Sequence, residues 1–198
     1  MNYPLTTEDL LEQVARETAR MSYPSSMSRG PRQVVKKGAK RKIEVYFAAK
    51  FPLSALGADV GQVVGHYDAW HKHQTRALGS FLVDKQGLGN MRNDSLAVAA
   101  KLINTFMHQL MKYDQFRPLW PQLHLPLDGR IFRAFARIDS PAIRKIREHV
   151  GTKTAYMISY SEYELVQDTL WQFIAELNHR PGAEFQVTSR IELNYLWL

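Results

Sequence analysis

Between Ser95 and Leu110 the chain sets Val98, Ala99, Leu102, Ile103, Phe106, Met107 and Leu110 at three-to-four-residue spacing, which gathers them on one broad face of a helix. A helix this apolar persists in water only when other segments cover it, so it predicts a globular core around which the remaining chain must pack. Asp94 and Ser95 supply the helix start. Lys101 and Asn104 stand among the apolar positions one turn apart, and both are expected to emerge together at the edge of the buried face.

After Tyr113 the pattern breaks at Pro118, Pro121 and Pro126, each of which removes a backbone donor and pushes its predecessor out of helical geometry. The connector is therefore expected to be a shaped loop. Asp128 then stands before Gly129-Arg130-Ile131-Phe132, with Ile131, Phe132, Phe135 and Ala136 as the next apolar face. That places its carboxylate at an N-cap or in a first turn, where free amides and the helix dipole favour a negative charge.

Thr6-Thr7-Glu8-Asp9 before Leu10, Leu11, Val14 and Met21 reads as a capped amphipathic helix ending near Pro24. From Pro24 to Lys42 the chain is rich in Ser, Gly, Pro and cations. Arg29, Arg32, Lys36, Lys37, Lys40, Arg41 and Lys42 occur there with no acidic residue between them, and their charges equal the formal net charge of +7. Clustered cations gain affinity for nucleic acid by releasing its counterions, so residues 24–42 are expected to form an embedded DNA-contacting loop. A merely solvated, solubilising loop is the plainer account.

Ile43 to Lys50 fits a short helix or strand ending at Pro52, and residues 57–65 read as loop or turn. Tyr67, Trp70, Gln74, Leu78 and Phe81 make a further helical face leading into Gly87. Ser140-Pro141 opens a basic-faced helix with Ile143, Ile146 and Val150 inward and Arg144, Lys145 and Arg147 outward, closed by Gly151. Ser161 to Glu164 reads as a capping box for a helix running to Asn178. A second box, Ser189 to Glu192, starts a terminal segment whose Leu193, Tyr195, Leu196, Trp197 and Leu198 should pack on the core or on another copy.

These elements predict an all-α chain, one compact domain over residues 1–198, with room for a two-lobed layout around a central cleft. No apolar run reaches the roughly 20 residues a membrane span needs, and no basic-then-apolar leader is present, so a cytoplasmic protein without membrane partners is expected. With no cysteine in the chain, disulfides, cysteine-ligated metals and thiol catalysis are excluded. Nucleophile-elbow, phosphate-loop and dinucleotide signatures are missing. His66, His71 and His73 lack the helical pairing and companion carboxylates of a zinc site, so no metal is expected.

The Pro126-Leu127-Asp128 step into a helix, preceded by an apolar helix bearing Lys101 and Asn104 in Ala99-Ala100-Lys101-Leu102-Ile103-Asn104, resembles the helix-hairpin-helix DNA glycosylases, in particular the 8-oxoguanine glycosylase-like branch. The specific likeness covers about forty residues. The resemblance implies excision of a damaged or modified base from double-stranded DNA by base flipping, without a cofactor, in repair or in defence against modified foreign DNA. Lys101 would be the Schiff-base nucleophile and Asp128 would stabilise the cationic transition state. Asn104, Trp70 and His71 are the candidate pocket residues, although Trp70 reads first as a core residue. The family's Leu-Pro-Gly-Val-Gly hairpin has no counterpart before Lys101, since Gly87 and Gly89 lie further upstream. That departure favours the alternative of a non-enzymatic nucleic-acid-binding or regulatory protein on the same scaffold, and an apolar C-terminal interface would suit a protein-protein adaptor.

Overall fold

A computed structural model of the chain describes residues 16–17, 39–86, 95–151, 153, 158–180 and 186–195. Within them the chain is all-α and contains no strand. Its helices are α1 (Ala39–Ala49), α2 (Leu53–Ala58), α3 (Val60–Gly65), α4 (Tyr67–Gln86), α5 (Ser95–Leu110), α6 (Gly129–Phe135), α7 (Pro141–Val150) and α8 (Tyr160–Asn178). Two 3₁₀ segments, Asp114–Gln122 and Arg190–Tyr195, complete the order. The expected N-terminal helix lies outside the described residues apart from Arg16 and Glu17, which are helical; Asp94 and residues 196–198 also lie outside them.

The central apolar helix is a wall between two cores. Val98, Ala99, Leu102, Ile103 and Phe106 of α5 join α1, α2 and α4 in the first core, where Phe47 stacks on Phe106 with ring centroids 4.2 Å apart. Ala97 and Ala100 belong to the second, with Leu125, Leu127, Ile131, Phe135 and the inner faces of α7 and α8. Helix α4 lies along α5, α7 along α8, and α5 touches α8. The α4–α5 approach is close: a Cβ on Gly79 would stand 2.6 Å from Leu96 Cδ2.

Several expected boundaries move, each for a local reason. The chain at 39–42 is helical rather than loop, because α1 starts at Ala39 to bring Ile43, Tyr46 and Phe47 onto one buried face. Residues 57–65 are not loop: α2 and α3 meet at Asp59, whose side chain caps α3 by accepting from Gln62 N at 3.0 Å. The capping box of α8 sits two residues earlier than expected, on Ser159 and Glu162. Choosing that register leaves Glu164 to take Lys72 Nζ at 2.7 Å. The second box forms only in part: Glu192 accepts from the Ser189 backbone as well as from Thr188 N, Thr188 Oγ1 and Trp120 Nε1, whereas among the described residues Ser189 Oγ has no partner.

Helix α7 follows expectation in full. Ser140 caps it, Pro141 occupies its first turn, Ile143, Ile146 and Val150 are buried, and Gly151 ends it at φ 59, a backbone conformation open to glycine.

Candidate functional site

Lys101 lies on α5 where the two cores meet, partly buried, with Ala100 and Leu102 fully covered on either side. Burial lowers the pKa of its amine from the usual 10.5, and the nearby charge of Asp128 opposes that shift. Asp128 caps α6 through one oxygen: Oδ1 accepts from Arg130 N at 2.8 Å and Ile131 N at 3.1 Å. Among the described residues its other oxygen accepts no hydrogen bond. The two residues are within electrostatic reach without forming an ion pair, which leaves the lysine a larger neutral fraction than an exposed one has.

Asp128 is delivered by the extended stretch from Leu123, and α8 holds that stretch by two side chains one turn apart. Gln167, 1% exposed, takes both backbone groups of Leu125, accepting from its N–H at 3.0 Å and donating to its carbonyl at 2.8 Å. A glutamine here does what a neighbouring strand would do, satisfying a buried segment that has no ladder of its own. One turn earlier, Tyr163 OH meets His124 Nδ1 at 2.7 Å.

That contact belongs to a continuous buried chain of hydrogen bonds along the seam. His71 Nε2 meets Asn104 Oδ1 at 2.7 Å, Asn104 Nδ2 donates to Tyr163 OH at 2.8 Å, and His124 Nε2 meets Asp68 Oδ1 at 2.6 Å. Donor arithmetic orders it. Because Asn104 spends its amide hydrogens on Tyr163, its oxygen accepts from His71 Nε2–H; because Tyr163 already accepts, its own proton goes to His124 Nδ1; His124 then donates from Nε2 to Asp68. Every donor points toward Asp68, which also receives Arg190 Nη2 at 3.3 Å.

The assignment requires His124 to be neutral, and burial pushes both histidines that way. His124 falls from 6.5 to about 4, desolvation outweighing its hydrogen bond to Asp68, which would raise it. His71 is lowered well below its usual value for the same first reason. Asp68 is held far below the ordinary carboxylate range, chiefly by the His124 hydrogen bond, while its side chain remains 68% exposed. Burial raises Tyr163 well above 10, so its proton stays in place as the donor. Arg190, 1% exposed, braces the outer end: it donates to Gln122 O at 2.9 Å and lies 5.0 Å from the Trp171 ring centroid.

The sequence-predicted residues therefore fall into separate groups. Lys101 and Asp128 lie within coulombic reach of each other. Asn104 does not emerge beside Lys101 but is 2% exposed, because its amide is consumed by His71 and Tyr163. Both His71 and Asn104 lie within the buried chain of hydrogen bonds, where His71 Nδ1 also meets Thr75 Oγ1 at 3.5 Å. Trp70 packs on the first core, edge-on to Phe51 at 5.8 Å. Of the basic residues, Arg41 and Lys42 are exposed on α1 and Lys40 is helical, whereas Arg29, Arg32, Lys36 and Lys37 lie outside the described residues.

Sequence reasoning passed over Asp68, His124, Tyr163, Gln167 and Arg190. One signal was present: Asn104 continues the row of Ala97 and Ala100 on α5, and a polar side chain on an apolar row demands buried partners. Among the described residues no cluster of three His, Cys, Asp or Glu side chains can hold a metal, and no helix is long and apolar enough to cross a membrane. No family model, curated protein or solved structure matches the chain.

Proposed function

We propose that the protein is a DNA glycosylase with associated lyase activity that excises a damaged or modified base flipped out of duplex DNA. The observation that carries the proposal is the pairing of a lysine whose pKa is lowered by burial with an N-cap aspartate that keeps one carboxylate oxygen uncommitted. The amine of Lys101 attacks the anomeric carbon, and the glycosidic bond breaks with its electron pair leaving on the base. Asp128 offsets the positive charge that develops on the sugar and carries the proton released by the attacking amine. Loss of the sugar-ring bond then gives a Schiff base, from which elimination nicks the strand.

Helix geometry favours these roles. Burial desolvates the Lys101 amine within coulombic reach of Asp128, and two backbone amides hold the Asp128 carboxylate. The test is borohydride trapping on a panel of lesion-bearing and modified duplexes. The wild-type protein should give a covalent adduct, and Lys101→Gln should abolish it with DNA binding retained. Base release without trapping would move the chemistry to water activated by Asp128; binding with no release on any substrate would favour the non-enzymatic alternative, which the missing glycine hairpin supports.

A further inference from the structure

We infer that the exposed surface of α6 and of the turn that follows it is a docking surface for the DNA backbone, with Arg130, Arg133 and Arg137 contacting phosphates beside the Asp128 site. The inference deepens the proposed function and relies on it for the identity of the polyanion.

Arg130 and Arg133 stand one turn apart on α6, and Arg137 lies in the turn that follows it, where its N–H donates to Ala134 O at 2.9 Å; all three are exposed while Ile131 and Phe135 are buried. The buried side of α6 anchors them. Among the described residues none of the three makes an ion pair or a side-chain hydrogen bond, whereas Arg117, Arg144, Lys72, Lys153 and Arg190 each have a carboxylate partner. Along the sequence Asp128 is the only acidic residue between Asp114 and Asp139, and the first turn of α6 contains none.

Helix electrostatics give no reason for this placement. Arg130 stands in the first turn, at the end of the dipole that disfavours a cation. The guanidinium of Arg133 also turns toward that end, since a Cβ built on Gly129 would lie 3.6 Å from its Nη1. By contrast, Arg147 and His149 in the last turn of α7 satisfy the dipole there, and Arg144 pairs with Asp139 at 3.2 Å. The α6 row thus keeps unspent charge beside the catalytic carboxylate.

The experiment measures binding of the full-length protein to an undamaged duplex across a salt series, so it is independent of catalysis. Replacing Arg130, Arg133 and Arg137 together by Gln should flatten the log–log salt slope by about 2 to 3 units, at a little under one per lost phosphate contact. The control, Arg144, Lys145 and Arg147 to Gln on α7, removes the same charge from another surface and should change the slope by less than about one unit. An unchanged slope in the α6 variant overturns the inference, and so does an equal fall in both variants, which would report net charge alone. If the triple variant fails to fold, Arg133→Gln and Arg137→Gln taken singly should each remove just under about one unit. Lys101-dependent trapping is scored separately: its absence with a flattened slope defeats the catalytic proposal and leaves the docking surface standing.

Discussion

Replacing Gln167 by Leu tests whether α8 holds the stretch that carries Asp128. The substitution keeps a side chain of similar volume on a residue 1% exposed, and removes both hydrogen bonds to Leu125, at 3.0 and 2.8 Å. Leu125 is itself fully buried, so its N–H and C=O lose their partners without gaining water. An unsatisfied buried group costs about 1–3 kcal/mol, which for two groups gives about 2–6 kcal/mol. In a chain of this size each kcal/mol moves Tm by about 2–4 °C, so a fall on the order of 10 °C is expected. Gln172→Leu, at an exposed position of the same helix, makes the same exchange without a buried partner and should stay within about 0.5 kcal/mol. Urea unfolding of the two variants side by side, followed by circular dichroism, supplies the comparison. Equal stabilities would refute the argument that Gln167 satisfies a buried strand-like segment.

The neutral histidines make stability depend on pH with a definite sign. His124 has its ordinary 6.5 when unfolded and about 4 when folded, so the unfolded chain takes up the proton first: the contribution is complete above pH 6.5 and is lost as pH falls toward 4, at up to about 1.4 kcal/mol per pH unit and about 3 kcal/mol in all. His71 titrates in the same sense; a urea midpoint that holds constant between pH 7 and pH 5 would contradict the assignment. At the start of α8, Ser159→Ala should cost about 1 kcal/mol and Ser161→Ala no more than about 0.5 kcal/mol. Equal losses in thermal unfolding would mean that the cap lies elsewhere.

What could be read from the sequence was what periodicity and capping encode. The apolar row of α5, the cap at Asp128, the Ser140-Pro141 start and the helical run from Tyr67 each rest on residues a few positions apart, where local geometry decides. The shifted box at the start of α8 shows the limit of that logic. Ser159-Tyr160-Ser161-Glu162-Tyr163-Glu164 offers two overlapping Ser-x-x-Glu registers of equal local merit. What separates them is Lys72, on a helix far away in sequence, which claims Glu164. Likewise residues 57–65 are poor helix formers locally, with Gly57, Gly61 and Gly65 among them, and become helical where Leu56, Val60, Val63 and Val64 pack on the first core.

The seam network was hidden for a different reason: its members are far apart in the chain and chemically mixed. Asp68, His71, Asn104, His124, Tyr163 and Arg190 come from α4, α5, the connector, α8 and the last 3₁₀ segment, and no spacing rule joins them. Each nevertheless broke an expectation singly. Asn104 sits on the row of Ala97 and Ala100, Gln167 follows Val166 on the buried face of α8, and His124 stands between Leu123 and Leu125, all fully covered. A lone polar residue in such company must either find a partner or expose itself, and unmatched donors and acceptors on separate helices are therefore constraints on one another. Pairing the amide of Asn104 with the hydroxyl of Tyr163 fixes the roll of α5 against α8; pairing Gln167 with Leu125 fixes the path to Asp128. The position of Lys101 relative to Asp128 is the joint product of those two pairings, so the polar seam and the candidate site form one construction.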